Sequence, residues 1–291
     1  MNPRQSFTIW QKRLTLCQVA LDSRLGRSPR TAGVRILFYA LSAGLQHMRA
    51  VHCFDNGVKV YDDQLVEAQR LRYAKFNVHE EDEEELFLGL IKKLPVGGIF
   101  VSLGSAIGYY ALLAKHTRPD LKIHCFEPLD RHRRYLEENI ELNGYSKDDF
   151  NIHSRAVAPN NDTYLLVDRA FGSFLIKPED ARSRPTSPIE SVTLSGIGAM
   201  IGSPLIDLVQ MDIQGLEALI LEDYFSGCSN GSTIQAFLIG THGESIHERC
   251  RVALKQHNYD FVHDEFETLN QPDGILAAVR SHHETPALMA P

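Results

Sequence analysis

Apolar residues in the first 97 positions recur every third or fourth residue in two segments and then cluster around one turn. Residues 7 to 25 and residues 31 to 48 show the first pattern, which predicts two amphipathic helices. Short apolar segments next flank Asp55-Asn56-Gly57, a turn sequence typical of a β-hairpin. The acidic stretch from 79 to 85 predicts the start of another helix, because carboxylates are favourable at a helix N-terminus.

From residue 98 onward, short apolar segments alternate with segments of helical periodicity, which is typical of a parallel sheet covered by helices. Strands are predicted at 98–103, 121–126, 151–155, 206–211, 234–240, 259–263 and 274–279. Helices are predicted at 107–118, 130–142, 215–224 and 244–257. The stretch from Asn160 to Pro188, rich in Ser, Pro, Arg and Asp, is predicted to be the least regular part, an irregular insertion. Such long insertions are often functional, and the alternative is a simple surface loop.

The length of the chain allows one large α/β domain with an extension. Its 291 residues, 43% of them hydrophobic, suffice for a full core. We predict a catalytic domain at residues 76–291, preceded by an extension at residues 1–75 that holds the two helices and the hairpin. This extension would form a substrate lid or a homodimer surface, or would simply cover an edge of the sheet.

Charge and cysteine content bear on partners and location. The formal net charge of -7 provides no positive field, so neither nucleic acid nor a membrane surface is an expected partner. The five cysteines are scattered without a Cys-x-x-Cys pair, which favours a reducing compartment and argues against structural zinc. The apolar run at 36–45 is too short to span a bilayer, so a cytoplasmic location is expected.

The segment from 98 to 110 runs from an apolar strand into small residues and then into a helix. Gly104, Ser105, Ala106 and Gly108 let the backbone approach a ligand, and the N–H groups of the helix start offer hydrogen bonds. We therefore predict that these four residues bind a cofactor. A strand-to-helix turn without a ligand also favours glycine, so the turn needs a second signal.

That signal is an acid at the end of the next strand. Glu127, followed by Pro128, comes about 20 residues after the turn, where a carboxylate accepts hydrogen bonds from ribose hydroxyls. We predict that both residues lie at the cofactor. The turn departs from the G-x-G-x-x-G pattern, because Gly104 and Gly108 bracket three other residues. A dinucleotide is thereby disfavoured, and a Rossmann-type oxidoreductase using a nucleotide cofactor is the alternative function.

Five segments form a combined pattern: 98–110, Phe126-Glu127-Pro128, 136–143, 206–217 and 240–243. Together they resemble the FkbM-type S-adenosylmethionine-dependent methyltransferase family. The resemblance covers residues 75 to 280. It implies the class I methyltransferase (Rossmann-like) fold, a seven-stranded, mostly parallel sheet with helices on both faces and a C-terminal antiparallel hairpin, and S-adenosyl-L-methionine as cofactor.

The family pattern also implies roles for individual residues. Gly104, Ser105 and Ala106 would form the loop at the methionine side, and Glu127 would hold the ribose. A segment containing Arg155 and Ala156 would lie beside the adenine, and Asp212 would lie beside the reactive centre. These assignments are expectations that follow from the resemblance.

Two positions depart from the family pattern. Members usually carry an acid where Ser102 stands, which helps anchor the amino group of the cofactor, and another where Gln214 stands. Glu80, from the acidic segment, is a carboxylate that would compensate. A cofactor-binding relative without catalytic activity is therefore a further alternative.

The resemblance implies O-methylation of a hydroxyl on a small molecule, such as a sugar or a secondary metabolite. Transfer is an in-line displacement that needs alignment and a general base. His242, whose ordinary pKa lies near 6.5, is one candidate base. Asp212 would orient His242 or accept the proton itself. The alternatives are a structural histidine at a strand end and an aspartate that caps a helix.

A divalent metal is the less favoured means of activating the hydroxyl. Asp212, His242, Glu217 and Glu244 compose an oxygen and nitrogen donor set that suits magnesium. Their spacing does not show that they converge, so no metal is assigned. His247 is expected at the surface, and His282 and His283 in the C-terminal tail.

Overall fold

A computed structural model describes residues 49–169, 171–181, 187–227, 233–268 and 273–281. The helices predicted at 7–25 and 31–48 lie outside these residues, as do His282 and His283. The chain divides into two compact units, Met1–Ala50 and Val51–Pro291, and the structure described below belongs to the second. No helix in the described ranges is long and apolar enough to cross a bilayer.

A seven-stranded sheet forms the centre of this unit, in the order β14-β15-β13-β11-β3-β4-β5. Neighbours from β13 to β5 run parallel, whereas β15 is antiparallel to both β13 and β14. The predicted strands of the catalytic domain and the predicted C-terminal hairpin are therefore confirmed. The strands are β3 (Ile99–Leu103), β4 (Lys122–Phe126), β5 (Phe150–His153), β11 (Leu208–Met211), β13 (Ala236–Thr241), β14 (Tyr259–Glu265) and β15 (Gly274–Arg280).

Helices cover both faces of the sheet, which explains why the central strands are apolar without alternation. All five residues of β3 are buried. Leu112 and Leu136 pack on one face, and Ile220 and Leu254 pack on the other. The helices are α1 (Glu67–Lys75), α2 (Glu81–Ile91), α3 (Tyr109–Thr117), α4 (Asp130–Leu142), α5 (Leu194–Ile201), α6 (Glu217–Ser226) and α7 (Glu244–Gln256).

Two of these helices were not predicted, because α1 has little apolar periodicity and α5 is short and contains two glycines. Helix α1 has the sequence EAQRLRYAK, and it buries only Gln69 and Tyr73. Helix α5, LSGIGAMI, contains two glycines; its N-cap Thr193 accepts a hydrogen bond from the Gly196 N–H at 3.1 Å. Contacts within the tertiary structure therefore outweigh weak local preference here.

The prediction that residues 160 to 188 are irregular is wrong. Within the described residues this stretch contributes strands to a second, four-stranded sheet of order β6-β9-β7-β8. Tyr164, Leu166 and Val167 are buried in it. The polar residues between the strands obscured the pattern. The strands are β6 (Ala156–Val157), β7 (Thr163–Val167), β8 (Phe174–Ile176) and β9 (Ser187–Val192).

The predicted hairpin around Asp55-Asn56-Gly57 is present and is hydrogen-bonded to α4. Strand β1 (Val51–Cys53) pairs antiparallel with β2 (Lys59–Tyr61). The Lys59 N–H donates to Asn143 Oδ1 at 2.9 Å, and the Asn143 side chain donates back to the Lys59 carbonyl at 2.7 Å. Two short strands, β10 (Leu205–Ile206) and β12 (Thr233–Ile234), also pair in parallel.

Candidate functional site

A cavity of about 260 Å³ lies at the carboxyl ends of β3, β4 and β11. Strand β3 has β4 on one side and β11 on the other, so the connections after these strands diverge at this point. Ligands of open α/β sheets bind at such switch points. Gly104, Glu127 and Asp212, which follow the three strands, all line the cavity.

The loop after β3 requires glycine at Gly104. Its φ is +78°, and a Cβ there would lie 2.0 Å from the Asp212 carbonyl oxygen, so the loop passes directly against the end of β11. Ser105 and Ala106 line the cavity as predicted. Gly108 does not line it: a Cβ at that position would lie 2.2 Å from Leu136 Cδ1, so this glycine allows α3 to pack on α4.

Glu127 is buried at the end of β4 and is held by two backbone amides. The Ala106 N–H donates to Oε2 at 2.8 Å, and the Leu129 N–H donates to Oε1 at 2.8 Å. The carboxylate thereby joins the loop after β3 to the loop after β4. Pro128 lines the cavity next to it. This places a fixed acceptor at the switch point.

The cavity wall on the Glu127 side is apolar. Ala156 is buried there, whereas the exposed Arg155 lies outside the wall and its Nη2 is 3.2 Å from Glu190 Oε2. Phe171 stacks on His132 with ring centroids 5.1 Å apart and an interplanar angle of 17°. Sequence reasoning missed the other members of this wall, because they belong to the stretch predicted to be irregular: Leu166, Phe171, Phe174 and Leu175.

Polar side chains converge near the end of β11. Asp212 lines the cavity, and His242 Nε2 lies 3.4 Å from Asp212 Oδ1 and 3.6 Å from Asp273 Oδ1. His242 Nδ1 lies 2.8 Å from Glu217 Oε1. The Gln214 Nε2 lies 2.7 Å from His242 Nε2. The structure thus brings the two predicted catalytic residues together, and adds Asp273, for which the sequence carries no local signal.

These neighbours change the proton affinities of both candidate bases. Burial opposes a charge on His242, but the carboxylates of Glu217, Asp212 and Asp273 outweigh it and raise the pKa of His242 to about 9. Burial raises the pKa of Asp212 above its ordinary value, although His242 opposes this shift. His242 therefore keeps its proton at neutral pH, and Asp212 has a carboxylate of increased basicity.

The opposite part of the cavity wall comes from α1 and the segment before α2. Arg72 and Glu80 both line it, with Arg72 Nη2 3.5 Å from Glu80 Oε1. Ser102, in place of the family acid, donates to Gln210 Oε1 at 2.9 Å. Gln210 Nε2 in turn donates to Glu83 Oε1 at 3.3 Å. Sequence reasoning singled out Glu80 but not Arg72.

The described residues contain no group of three or more His, Cys, Asp or Glu side chains that could hold a metal ion.

The expectation that His247 lies at the surface is wrong. It is buried in the first turn of α7, where Nδ1 lies 2.8 Å from Thr241 Oγ1 and Nε2 lies 3.0 Å from Asp264 Oδ1. Strands β13 and β14 cover this turn, which the sequence of the helix alone does not show.

Comparison with known proteins assigns no family to this chain. No protein-family model matches the chain, and no curated protein matches it. Strand order and direction nevertheless agree with the arrangement that the family resemblance implied. The chain has the class I methyltransferase fold.

Solved structures that are similar to this chain include three proteins named as methyltransferases. A precorrin-6y C5,15-methyltransferase from Geobacter metallireducens is 12% identical, with 76% of this chain and 96% of that chain covered and a TM-score of 0.43. A putative RNA methyltransferase from Pyrococcus horikoshii is 11% identical, with coverages of 70% and 83% and a TM-score of 0.42. The methyltransferase FkbM from Methylobacillus flagellatus is 14% identical, with coverages of 66% and 47% and a TM-score of 0.43.

Proposed function

We propose that this protein is an S-adenosylmethionine-dependent methyltransferase of FkbM type that methylates a hydroxyl of a small, uncharged molecule. The observation that carries the proposal is the buried carboxylate of Glu127, held by the Ala106 amide beside the Gly104 loop. A carboxylate and a close backbone at adjacent strand ends suit a ribose and the chain attached to it.

The residues present fit the cofactor. Glu127 would accept hydrogen bonds from the ribose hydroxyls, and the apolar wall containing Leu166 and Phe171 would cover the adenine. Gly104 lines the cavity without a side chain, so a ligand would lie directly against the backbone of this loop. When bound, S-adenosylmethionine supplies an electrophilic methyl group. The residues of this chain must then align the acceptor oxygen and remove its proton.

Asp212 is the residue we assign to the proton. It lines the cavity, and burial raises its pKa, so its carboxylate accepts a proton more readily than an exposed aspartate does. His242 would remain protonated, held at Nδ1 by Glu217, and would stabilise the charged form of Asp212 between turnovers. Asp212 would take the proton from the acceptor hydroxyl.

The charges of the cavity wall support an uncharged acceptor. Glu80, Glu127, Asp212 and Asp273 line it, and Arg72 is the one arginine or lysine among the described lining residues. Burial lowers the pKa of His79 to about 3, so this histidine adds no positive charge. An excess of carboxylates repels phosphate groups, which disfavours nucleotides and nucleic acids as acceptors.

Ligand binding tests the proposal. S-adenosylhomocysteine at about a hundredfold over its dissociation constant should stabilise the fold by about 2.7 kcal/mol, and NAD should have no effect. Glu127→Gln should weaken binding about tenfold or more, because one charged acceptor is lost while an oxygen remains for a backbone amide. The surface variant Glu137→Gln is the control. Stabilisation by NAD instead of S-adenosylhomocysteine would favour the oxidoreductase.

A further inference from the structure

Arg72 and Glu80 form a pair of opposite charges in the cavity wall. Arg72 lies in the last turn of α1, and Glu80 lies directly before α2. Glu80 is 9% exposed. Because both residues line the cavity, the pair presents one positive and one negative group to the same bound molecule.

The guanidinium of Arg72 retains unused hydrogen-bonding capacity. Its nearest recorded carboxylate oxygen, Glu80 Oε1, is 3.5 Å from Nη2, which is longer than a charge-assisted hydrogen bond. The Nε atom of Arg72 is buried and has no hydrogen-bond partner among the described residues. A buried donor without a partner is costly, so a ligand that accepts from it is favoured.

Glu80 is likewise held loosely. The Tyr110 hydroxyl donates to its Oε2 at 3.5 Å, and His79 Nε2 is 3.9 Å from the same atom. Burial raises the pKa of Glu80, and the nearby Arg72 charge opposes that shift. An ammonium group bound at Glu80 would favour the charged form of Glu80, as the Arg72 guanidinium does.

The position of the pair relative to Glu127 identifies the part of the cofactor that it would meet. Glu83, three residues after Glu80, accepts a hydrogen bond from Gln210 Nε2 of β11 at 3.3 Å, so Glu80 lies toward the β11 side of the Gly104 loop. The apolar wall and Glu127 lie toward the β4 side. A nucleoside placed against Glu127 would extend its sulfur-linked chain across the loop toward Arg72 and Glu80. Ser102 is uncharged and bonded to Gln210, so β3 itself supplies no acid there.

We propose that Arg72 and Glu80 bind the amino-acid end of S-adenosylmethionine, with Arg72 on the α-carboxylate and Glu80 on the α-ammonium. This inference rests on the proposed function. An arginine offers a fork of donors that matches a carboxylate, and the adjacent glutamate matches the ammonium of the same zwitterion. The acid that the family carries at the position of Ser102 in β3 is thereby replaced by Glu80, from the segment before α2.

Calorimetric titration of two ligands tests the inference. S-adenosylhomocysteine carries the amino-acid end, whereas 5′-methylthioadenosine has the same nucleoside and thioether without it. Arg72→Gln and Glu80→Gln should each weaken S-adenosylhomocysteine binding about tenfold or more, through loss of a charged contact, and leave 5′-methylthioadenosine binding unchanged. Arg70→Gln is the matched control, because Arg70 is on the same helix and pairs with Asp62 outside the cavity.

The outcomes separate the two proposals. Wild-type protein that binds neither ligand would remove the proposed function, and the inference with it. Equal losses for both ligands, or no loss for either, would overturn the assignment of Arg72 and Glu80 alone.

If a variant fails to fold, the wild-type protein provides the test. Decarboxylated S-adenosylhomocysteine should bind to it about tenfold or more weakly than S-adenosylhomocysteine, and equal affinity would contradict the role of Arg72.

Discussion

Two glycines in the loop after β3 illustrate how one residue type serves two purposes. Gly104 permits a backbone contact with the end of β11, whereas Gly108 permits α3 to pack on Leu136. Both have positive φ, and both were predicted to bind the cofactor. Only Gly104 lines the cavity, so cofactor binding stays a prediction for Gly104, whereas packing of α3 on α4 accounts for the glycine at Gly108.

The steric requirement at Gly104 can be separated from its backbone conformation. Gly104→Ala should lower the free energy of unfolding by more than about 2 kcal/mol, because a Cβ would clash with the Asp212 carbonyl in addition to straining φ. Gly144→Ala is the control: its φ is +80° and a Cβ there would meet nothing within 4 Å, so about 1 kcal/mol is expected. Urea denaturation measures both, and equal losses would contradict the clash.

His242 provides a prediction about pH. Its folded pKa of about 9 exceeds the ordinary value of 6.5, so its protonation stabilises the fold below about pH 6.5. That contribution is lost as the pH rises through about 9. The difference in unfolding free energy between wild type and His242→Gln should therefore shrink between these two values. The groups acting on His242 are Glu217, Asp212, Asp273 and Glu80.

Nuclear magnetic resonance of ¹⁵N-labelled histidine provides the direct check. His242 should remain protonated at pH 7, and Glu217→Gln should lower its pKa, whereas Glu222→Gln, exposed on the same helix, should not. A protonated ring requires the Gln214 amide to present its oxygen to Nε2. Titration of wild-type His242 near pH 6.5 would contradict the charge state and restore it as a base.

At the scale of elements, the second sheet gives the cavity its apolar wall. Strands β7 and β8 flank the segment that carries Phe171, whose ring stacks on His132 of α4. Helix α1 and the segment before α2 contribute the charged groups on the other side. The central sheet therefore fixes Glu127 and Asp212, while elements outside it determine what surrounds the two ends of a ligand.

Phe171→Ala should distinguish the nucleoside end from the amino-acid end. Loss of the aromatic face should weaken S-adenosylhomocysteine and 5′-methylthioadenosine alike, by about fivefold, since stacking contributes about 1 kcal/mol. Phe76→Ala removes a more exposed ring after α1 and serves as the control. Calorimetry measures both ligands. A loss confined to S-adenosylhomocysteine would place the adenine elsewhere.

For the whole molecule, sheet topology accounts for where the chemistry gathers. Glu127 and Asp212 are separated by 84 intervening positions in the sequence, yet both follow strands that neighbour β3. Parallel strands place their carboxyl ends at one edge, so acids in different motifs reach one cavity. The remaining carboxylates, Glu80 and Asp273, reach the same cavity from outside these strands, and together they make its charge predominantly negative.

The sequence by itself determined the parts of this protein in which neighbouring residues share one environment. Strand β3 is apolar because it is buried on both faces, and α4 is amphipathic because it covers one of them. Such periodic burial predicts the strands and helices of the central sheet. The C-terminal hairpin was implied by the family resemblance, and the acid at Glu127 followed from its spacing after the glycine turn. The close approach of Asp212 and His242 followed from the same strand order.

Tertiary structure alone decided the features that depend on contacts between distant segments. The raised pKa of His242 comes from three carboxylates on different segments, and Asp273 has no motif around it. Arg72 lies on a helix with little apolar periodicity, and Phe171 belongs to a stretch whose polar residues hide its strands. Local sequence records the burial of a residue among its neighbours, but it does not record which distant charge or ring the fold places beside that residue.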